Sequence, residues 1–318
     1  MRQFLLRLTL LCFVMALLPA AVALPAAAQS EVVADQELVI INSDDRIVVR
    51  DPYTPPGYAP LTWESPQTGY RQVATGDFNS DGTDEIVGLR GGEAQVFDPY
   101  RQPNEPDVAR VFTASPGQVW SLVATGKYYL NRGDCIVLQQ GSPGTAGRLY
   151  AYCYIPPTGW SQVYAQDLGA GFLSFASGDV DANQDDELIG IRNSGSVHQI
   201  IIFNPSNNWI PMYEANYDYP WVAVASGNIV NDVPPKDEIA TTRSGVSTNL
   251  NSFLVFRWLG NNNFEDIAGE KFFPEFRDIA VGDVVGNGDD EVYLLRPGVY
   301  NNDPIVALTS RNLSLIHI

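Results

Sequence analysis

The chain has 318 residues, of which 45% are hydrophobic and 11% aromatic, and its formal net charge is −18 at pH 7. This apolar content is enough to build a core, so the composition excludes a disordered polymer. The negative charge would repel a polyanion, and we therefore expect no nucleic-acid partner.

Residues 1–28 have the pattern of a secretory signal peptide. Arg2 and Arg7 give a positively charged start, Leu8–Leu24 is mostly apolar, and Ala26–Ala28 offers small residues for cleavage. We therefore predict a secreted protein, extracellular or held at the cell surface. An uncleaved membrane anchor is the alternative. No later stretch is apolar enough to span a bilayer, so we expect no membrane span after signal cleavage.

One short unit recurs through the rest of the chain. A strand ends at a glycine, a loop rich in Asp and Asn follows, and a second strand begins. The glycines recur at intervals of roughly 50 residues, a period typical of propeller blades. They are Gly76, Gly126, Gly178, Gly227 and Gly282. We call the loops that follow them loops A to E, at residues 77–84, 127–134, 179–186, 228–237 and 283–290, and we count the first residue of the next strand with the ligand positions of each loop.

Short β-rich runs fill each period, and Gly, Pro, Asn and Asp separate them. No sustained helical period is present. The sequence therefore predicts an all-β fold, a β-propeller of four-stranded antiparallel blades. A β-helical solenoid is the main alternative, although its coils are usually shorter. A β-sandwich would not explain five near-equal periods.

The propeller domain, residues 29–312, is predicted to be incomplete at both ends. Residues 37–42 match Glu85–Arg90, so the mature chain begins at the second strand of a blade. The missing first strand would come from the C-terminal end and close the ring. The last unit stops at Thr309, and residues 313–318 resemble the translation of a transposon-end adapter used in sequencing libraries. We expect a truncated reading frame, with about six blades here and seven in the complete protein.

Loop A carries oxygen atoms suited to a metal ion. These atoms belong to Asp77, Asn79, Asp81 and Glu85. Gly82 permits a sharp turn between them, and hard Ca²⁺ prefers several such oxygen ligands. An EF-hand is excluded, because the loop joins two strands and its twelfth position is Gly88 instead of Glu. A solvated turn without metal is the alternative.

The loop and the blade period together resemble FG-GAP/VCBS repeats, the blades of integrin α-subunit-like propellers, over nearly all of residues 37–309. In that family an Asp-rich loop between the first two strands of a blade binds Ca²⁺. The resemblance implies ligands at Asp77, Asn79, Asp81 and Glu85 in loop A, at Asp179, Asp181, Asn183 and Glu187 in loop C, and more weakly at Asp283, Asn287 and Glu291 in loop E.

The remaining loops depart from the family pattern. Lys127 and Cys135 replace the first and last acids of loop B. Loop D has Asn228 and Val230 together with a Pro-bearing insertion. We expect no strong metal site in either loop. In loops C and E the fit is incomplete, because Gln184 replaces the family's glycine and Val285 occupies a ligand position.

Cys135 and Cys153 are the two cysteines that remain after signal cleavage. If Gln140 pairs with Arg148 across the intervening turn, the same register places the two cysteines opposite each other. A disulfide is then predicted, which the export route permits. Two reduced, buried thiols are the alternative.

The six tryptophans recur near strand ends. We predict that most pack between blades, while a minority could line a carbohydrate groove. They are Trp63, Trp120, Trp160, Trp209, Trp221 and Trp258.

Catalysis has little support in the sequence. His198 and His317 are the chain's histidines, which is a poor supply for a Ser-His-Asp triad or a multi-histidine zinc site. We expect a binding, adhesion or scaffolding module whose ligand is an extracellular protein or a glycan. The alternative is a carbohydrate-active propeller, either a lectin or a polysaccharide lyase or hydrolase.

Overall fold

The structure is a computed structural model. It describes residues 38–50, 61–103, 105–141, 147–167, 171–230, 235–244, 252–260, 263–270, 276, 278–283, 288–295, 305–308 and 315–317. The predicted signal peptide at residues 1–28 lies outside these ranges, as do Val285 and Asn287 of loop E.

The described residues form 23 strands in six antiparallel sheets, which we number as blades 1 to 6. Blade 1 contains β1 (Leu38–Ile41), β2 (Ile47–Arg50) and β3 (Leu61–Glu64). Blade 2 contains β4 (Gln72–Gly76), β5 (Glu85–Arg90), β6 (Glu93–Phe97) and β7 (Arg110–Thr113). Blade 3 contains β8 (Trp120–Gly126), β9 (Cys135–Gln140), β10 (Arg148–Ile155) and β11 (Gly159–Asp167).

The remaining blades repeat this four-stranded plan. Blade 4 contains β12 (Ser174–Gly178), β13 (Glu187–Ser194), β14 (Val197–Asn204) and β15 (Ile210–Tyr217). Blade 5 contains β16 (Trp221–Gly227), β17 (Glu238–Arg243), β18 (Phe253–Gly260) and β19 (Asn263–Glu270). Blade 6 contains β20 (Asp278–Gly282), β21 (Glu291–Leu295), β22 (Ile305–Leu308) and β23 (Leu315–His317).

The blades follow one another as in a β-propeller. Within each blade the strands pair in chain order, so each blade is a simple meander. The first strand of each four-stranded blade contacts the first strand of the next, in the order β4, β8, β12, β16 and β20. First strands that neighbour one another in this way surround a common axis, with the later strands farther out. The predicted all-β propeller of four-stranded blades is therefore confirmed.

The core lies between the faces of neighbouring blades. The second strands are its most buried elements, because both of their faces are covered. Every residue of β5 except Arg90 is buried, and all six residues of β9 are buried. The outer strands are more exposed, as in β7, where Phe112 alone is buried. This gradient explains why the second strands read as continuous apolar runs.

The tryptophans join neighbouring blades, as predicted. Trp63 packs against Phe97 of the next blade, with ring centroids 5.4 Å apart. Trp209 stacks on Tyr164 of the preceding blade at 4.6 Å. The other tryptophans make equivalent contacts through a ring or through the indole N–H: Trp120 donates to Phe112, Trp160 packs on Phe78, Trp221 on Tyr217 and Trp258 on Tyr213.

The two ends of the described chain differ from the complete blades. Blade 1 has three strands, and β1 occupies the position that second strands hold in the other blades. In blade 6, β23 pairs with β22 as a fourth strand, with Leu308 opposite Leu315. The residues of β23 belong to residues 313–318, which the sequence predicts to be a tail apart from the propeller domain. The edge of β22 offers unpaired backbone groups that such a short segment satisfies.

Candidate metal centres

Loop A is a tight turn organised by Asp77. The backbone N–H groups of Asp81 and Gly82 donate to the Asp77 carboxylate, each at 3.0 Å. Ser80 and Gly82 adopt φ values of 62° and 90°, the left-handed conformation that sharp turns need.

The Asn79 amide stands between two carboxylates of loop A. Its Nδ2 donates to Asp81 Oδ2 at 2.7 Å and to Glu85 Oε1 at 2.9 Å. The second Glu85 oxygen accepts the N–H of Phe78 at 2.9 Å. A half-turn of the amide would present its oxygen instead, so Asn79, Asp81 and Glu85 lie close enough to share an ion. Among the described residues, the acids of loop A do not form a group whose carboxylate oxygens all lie within 4.8 Å of one another.

Loop C repeats this turn although its sixth residue is not glycine. The N–H groups of Asn183 and Gln184 donate to Asp179 at 2.9 and 2.8 Å. Ala182 and Gln184 adopt φ values of 63° and 75°, close to those of loop A. The predicted departure at Gln184 therefore leaves the backbone conformation intact, at the cost of a left-handed non-glycine residue.

Three acids of loop C converge. Single carboxylate oxygens of Asp179, Asp181 and Glu187 lie within 4.8 Å of one another. Glu187 is completely buried, and its Oε1 has no hydrogen-bond partner among the described residues. A buried carboxylate oxygen without a partner is costly, and the donor set of three carboxylates suits a hard cation such as Ca²⁺. The residues of loop C thus fit such an ion. Asn183 is exposed, and its side-chain oxygen accepts the N–H of Asp185 at 2.7 Å.

Burial controls the charge of the glutamates at the base of both loops. Together with the neighbouring Asp81, it raises the pKa of Glu85 to about 8. It raises the pKa of Glu187 to about 9, with Asp181 and Asp179 acting in the same direction. Each glutamate is therefore poised to ionise when a positive charge is supplied nearby.

Loop E shares the turn as far as the structure describes it. The N–H of Gly288 donates to Asp283 Oδ2 at 2.8 Å, as Gly82 does to Asp77. Gly288 has a φ of 87°, and Glu291 is buried at the start of β21. The third predicted ligand, Asn287, lies outside the described residues.

Loops B and D have other groups at the base of the loop. In blade 3, Cys135 stands where the other blades have glutamate, and a disulfide joins it to Cys153 on the paired strand, with Cα atoms 4.3 Å apart. In blade 5, the buried Glu238 Oε1 accepts from Arg257 Nε at 3.0 Å. Arg257 occupies the cross-strand position that Cys153 holds in blade 3, since Ile239 pairs with Phe256.

Sequence reasoning missed an acid beside loop A. Asp98 follows β6 at the cross-strand position from Glu85, since Ile86 pairs with Phe97. Its Oδ2 is buried without a hydrogen-bond partner among the described residues, and burial raises its pKa. The signal was present in the strand register, which places any residue after Phe97 next to the base of the loop.

Sequence reasoning also missed a contact that repeats between blades, which we call the aspartate latch. The last aspartate of each loop from B to E bonds the first residue of the preceding loop. Asp134 accepts the N–H of Asp77 at 3.0 Å and returns its own N–H to the Asp77 carbonyl at 2.9 Å. The same pair of bonds joins Asp186 to Lys127, Asp237 to Asp179, and Asp290 to Asn228.

The latch explains the glycine that ends the first strand of blades 2 to 5. A Cβ atom built on Gly178 would lie 2.6 Å from Asp237 Oδ2, and one on Gly227 would lie 2.4 Å from Asp290 Oδ2. Side chains at these positions would displace the latching carboxylate. The contact between blades therefore requires the recurring glycine. This requirement is the same before loops that carry metal-type ligands and before loops that lack them.

His198 lies within β14 (Val197–Asn204). Its Nδ1 is 3.0 Å from Asn193 Oδ1 on the paired strand. Within the described residues, no helix has the length and apolar character that a membrane crossing requires.

Comparisons with known proteins find similar folds among solved structures but assign no family. No family model matches the chain, and no curated protein matches it significantly. Among solved structures, crystal structures of BBS1N in complex with ARL6DN match with TM-scores of 0.50 (soaked with lead, 10% identity) and 0.49 (soaked with mercury, 9%). In both, the match covers 82% of this chain and 85% of that chain.

The structure of the Dos1 propeller also matches, with a TM-score of 0.49 and 12% identity over 88% of this chain and 66% of that chain. At these identities, similarity concerns the fold alone.

Proposed function

We propose that this chain is an exported, calcium-stabilised β-propeller of the FG-GAP/VCBS type that serves as an extracellular binding, adhesion or scaffolding module. The observation that carries the metal assignment is the convergence of Asp179, Asp181 and Glu187, with the buried Glu187 oxygen lacking a partner. Loop A offers the second site through Asp77, Asn79, Asp81 and Glu85.

The aspartates and the glutamates have different roles at each site. Asp77 and Asp179 shape the turn through backbone N–H groups, and the buried glutamates close the loop at the strand start. When bound, Ca²⁺ would supply the charge that these crowded acids lack. The loop lies beside an aspartate latch, so a rigid turn also fixes the contact with the next blade.

A binding role is supported by the architecture. The propeller fold is consistent with a protein-interaction scaffold, and BBS1N, which has a similar fold, was solved in complex with ARL6DN. The likeness of fold suggests the class of role and leaves the ligand open.

Calcium binding is tested by isothermal titration calorimetry of the metal-free protein. We expect two sites from loops A and C, with dissociation constants of about 10⁻⁴–10⁻³ M, as in other extracellular modules. Asp179→Ala should remove one of them, while the exposed Asp167→Ala serves as a matched control. Absence of calcium binding, or unchanged stoichiometry in Asp179→Ala, would overturn the assignment.

The binding role is tested with a glycan array and a panel of plant and bacterial polysaccharides. A scaffold or lectin should leave the polysaccharides intact, and a lectin should retain specific glycans on the array. Release of reducing ends or unsaturated products would show an enzyme and contradict the proposal.

A further inference from the structure

A groove runs along the outer part of the seam between blades 1 and 2. Its volume is about 500 Å³, which lies within the range of small-molecule sites. The side chains that face it come from the loop after β3, from β6 and from the start of β7: Gln67, Gln95, Phe97, Ala109 and Val111. Val96 and Arg110 also line the groove. Val96 packs toward blade 3 and pairs with Arg110, so these two side chains belong to the other face of the sheet.

The groove combines apolar surface with neutral polar groups. Val111 is 48% exposed, and the half-buried Phe97 packs beside Trp63, with ring centroids 5.4 Å apart. Gln67 is exposed, whereas Gln95 is buried. None of the five side chains that face the groove is charged, although the chain has a net charge of −18. The lining therefore suits an uncharged ligand.

Two polar groups of this seam stand at positions that are apolar in other blades. Counted from the glycine that ends each first strand, Gln95 corresponds to Ile201 in blade 4 and to Leu254 in blade 5, and both of these residues are buried. Tyr70 corresponds in the same way to Phe172 of blade 4. The packing of one blade on the next therefore requires neither the Gln95 amide nor the Tyr70 hydroxyl.

The hydrogen bonds determine which atoms of the two amides remain for a ligand. Gln95 Nε2 donates to Glu93 Oε2 at 2.9 Å, and Gln95 Oε1 accepts the Tyr70 hydroxyl at 2.5 Å. The Tyr70 oxygen also lies 2.9 Å from Gln67 Oε1. Since a hydroxyl has one proton, the Gln67 amide must turn to donate its own N–H to that oxygen. One N–H of each glutamine and the Gln67 carbonyl oxygen then remain.

We propose that this groove binds a neutral saccharide unit of an extracellular glycan, a proposal that rests on the binding role given above. The two amides would bond hydroxyl groups at the edge of a sugar ring, and the C–H groups of the ring would pack on Phe97 and Val111. Amides and hydroxyls both donate and accept, so this pairing satisfies each partner without a charge.

The spacing of the polar groups favours a sugar over a peptide. Gln67 and Gln95 both contact the Tyr70 oxygen, so their remaining polar atoms lie close together. Hydroxyls on neighbouring carbons of a sugar ring are equally close. In an extended peptide, residues on one side recur about 7 Å apart, because they alternate along the strand.

The test measures binding of defined oligosaccharides to the full chain in the presence of calcium, by isothermal titration calorimetry. The probes are neutral hexasaccharides of glucose, xylose, mannose and galactose, together with a galacturonate hexasaccharide as the charged comparison. At least one neutral probe should bind saturably, and it should bind more tightly than the galacturonate probe.

Two variants locate the site. Gln95→Leu and Tyr70→Phe each introduce a residue that another blade carries at the same position, so both should fold. Each should weaken binding of the neutral probe by roughly 10-fold or more, because a hydrogen bond in the complex is lost or misdirected. Gln162→Leu, at an exposed glutamine of blade 3, is the matched control and should bind as the wild type does.

Absence of saturable binding by every neutral probe overturns the proposal, as does tighter binding of the galacturonate probe. Selection of a peptide that Gln95→Leu fails to bind, with no neutral probe bound, would show a peptide site and also overturn it. A glycan bound equally by the wild type and by both variants would overturn the groove and leave the binding role standing. Both variants should keep their calcium sites, since neither residue belongs to a proposed metal site.

Discussion

Glu238 and Arg257 face each other across β17 and β18, 3.0 Å apart, at the base of loop D. Glu238 is fully buried, so its charge requires a partner. The equivalent position holds a disulfide in blade 3 and a glutamate beside a candidate cation site in blades 2 and 4. This position thus differs between blades: it holds a glutamate paired with an arginine in blade 5, a disulfide in blade 3, and in blades 2 and 4 a glutamate for which we propose a metal ion as partner.

The variant Arg257→Gln tests whether the Arg257 guanidinium stabilises the buried Glu238 carboxylate. It should lower the free energy of unfolding by about 3–5 kcal/mol, because it leaves a buried carboxylate without its charge partner. The double variant Glu238→Gln/Arg257→Gln should recover much of this loss. The exposed pair of Arg148 and Asp167 supplies the control, and Arg148→Gln should change stability by less than about 1 kcal/mol. Urea unfolding measures all three, and equal losses in the single and double variants would contradict the role of Arg257.

The elements of a blade are joined to the next blade by the aspartate latch as well as by apolar packing. The latch operates in loops with metal-type ligands and in loops B and D, where the sequence predicts no strong site. The contact between blades and the metal-type ligands are therefore separate features of one loop. This separation explains why the strand pattern persists in copies whose acids have been replaced.

Gly178→Ala tests the latch. The added Cβ would meet Asp237 Oδ2 at 2.6 Å and Ser226 Oγ at 2.8 Å, and relieving this clash should cost about 1–3 kcal/mol. For Gly92→Ala, the nearest atom lies at 3.5 Å, so this variant is the matched control and should be nearly neutral. Thermal or chemical unfolding compares the two, and similar stabilities would argue against a close contact at the latch.

A contact between two strands can be predicted from the sequence when the strand register can be inferred from a short connection. The turn that pairs Gln140 with Arg148 also pairs Cys135 with Cys153, so the disulfide partners were predictable from local spacing. The pairing of Glu238 with Arg257 spans a longer connection, between Thr242 and Phe253, and this length hides its register. The latch joins residues of different blades, 57 positions apart in the case of Asp77 and Asp134, and no pattern within one repeat shows such a contact.

At the scale of the whole molecule, the repeat period predicts the propeller because each period contains enough strands for one blade. The ends were harder to predict. The three-stranded blade 1 follows from the match between residues 37–42 and Glu85–Arg90, whereas the pairing of β23 depends on an edge that only the assembled blade 6 provides. Ion occupancy also lies beyond the sequence, because a solvated turn and a calcium loop share the same residue types.

The pH dependence of stability follows from the buried glutamates. The pKa values of Glu85 and Glu187 are raised from 4.5 to about 8 and about 9. Between pH 4.5 and these raised pKa values, the folded, metal-free protein binds more protons than the unfolded chain. Its stability should therefore fall as the pH rises from 5.5 to 8. Calcium needs the ionised carboxylates, so its stabilising effect should be larger at pH 8. Melting curves at both pH values check this, and a calcium effect that is larger at pH 5.5 would contradict it.

Thermal melting of the wild type and of the Asp77→Ala/Asp179→Ala double variant, each in EDTA and in about 10 mM Ca²⁺, tests the central claim most directly. Calcium at 10–100 times the dissociation constant should stabilise each site by about 1.4–2.7 kcal/mol. This corresponds to a rise in wild-type Tm of roughly 3–10 °C per site. The double variant should show no such rise, while an Asp44→Ala/Asp167→Ala control should respond as the wild type does. A wild-type Tm that calcium leaves unchanged, or an equal rise in the Asp77→Ala/Asp179→Ala variant, would contradict a propeller stabilised by calcium at loops A and C.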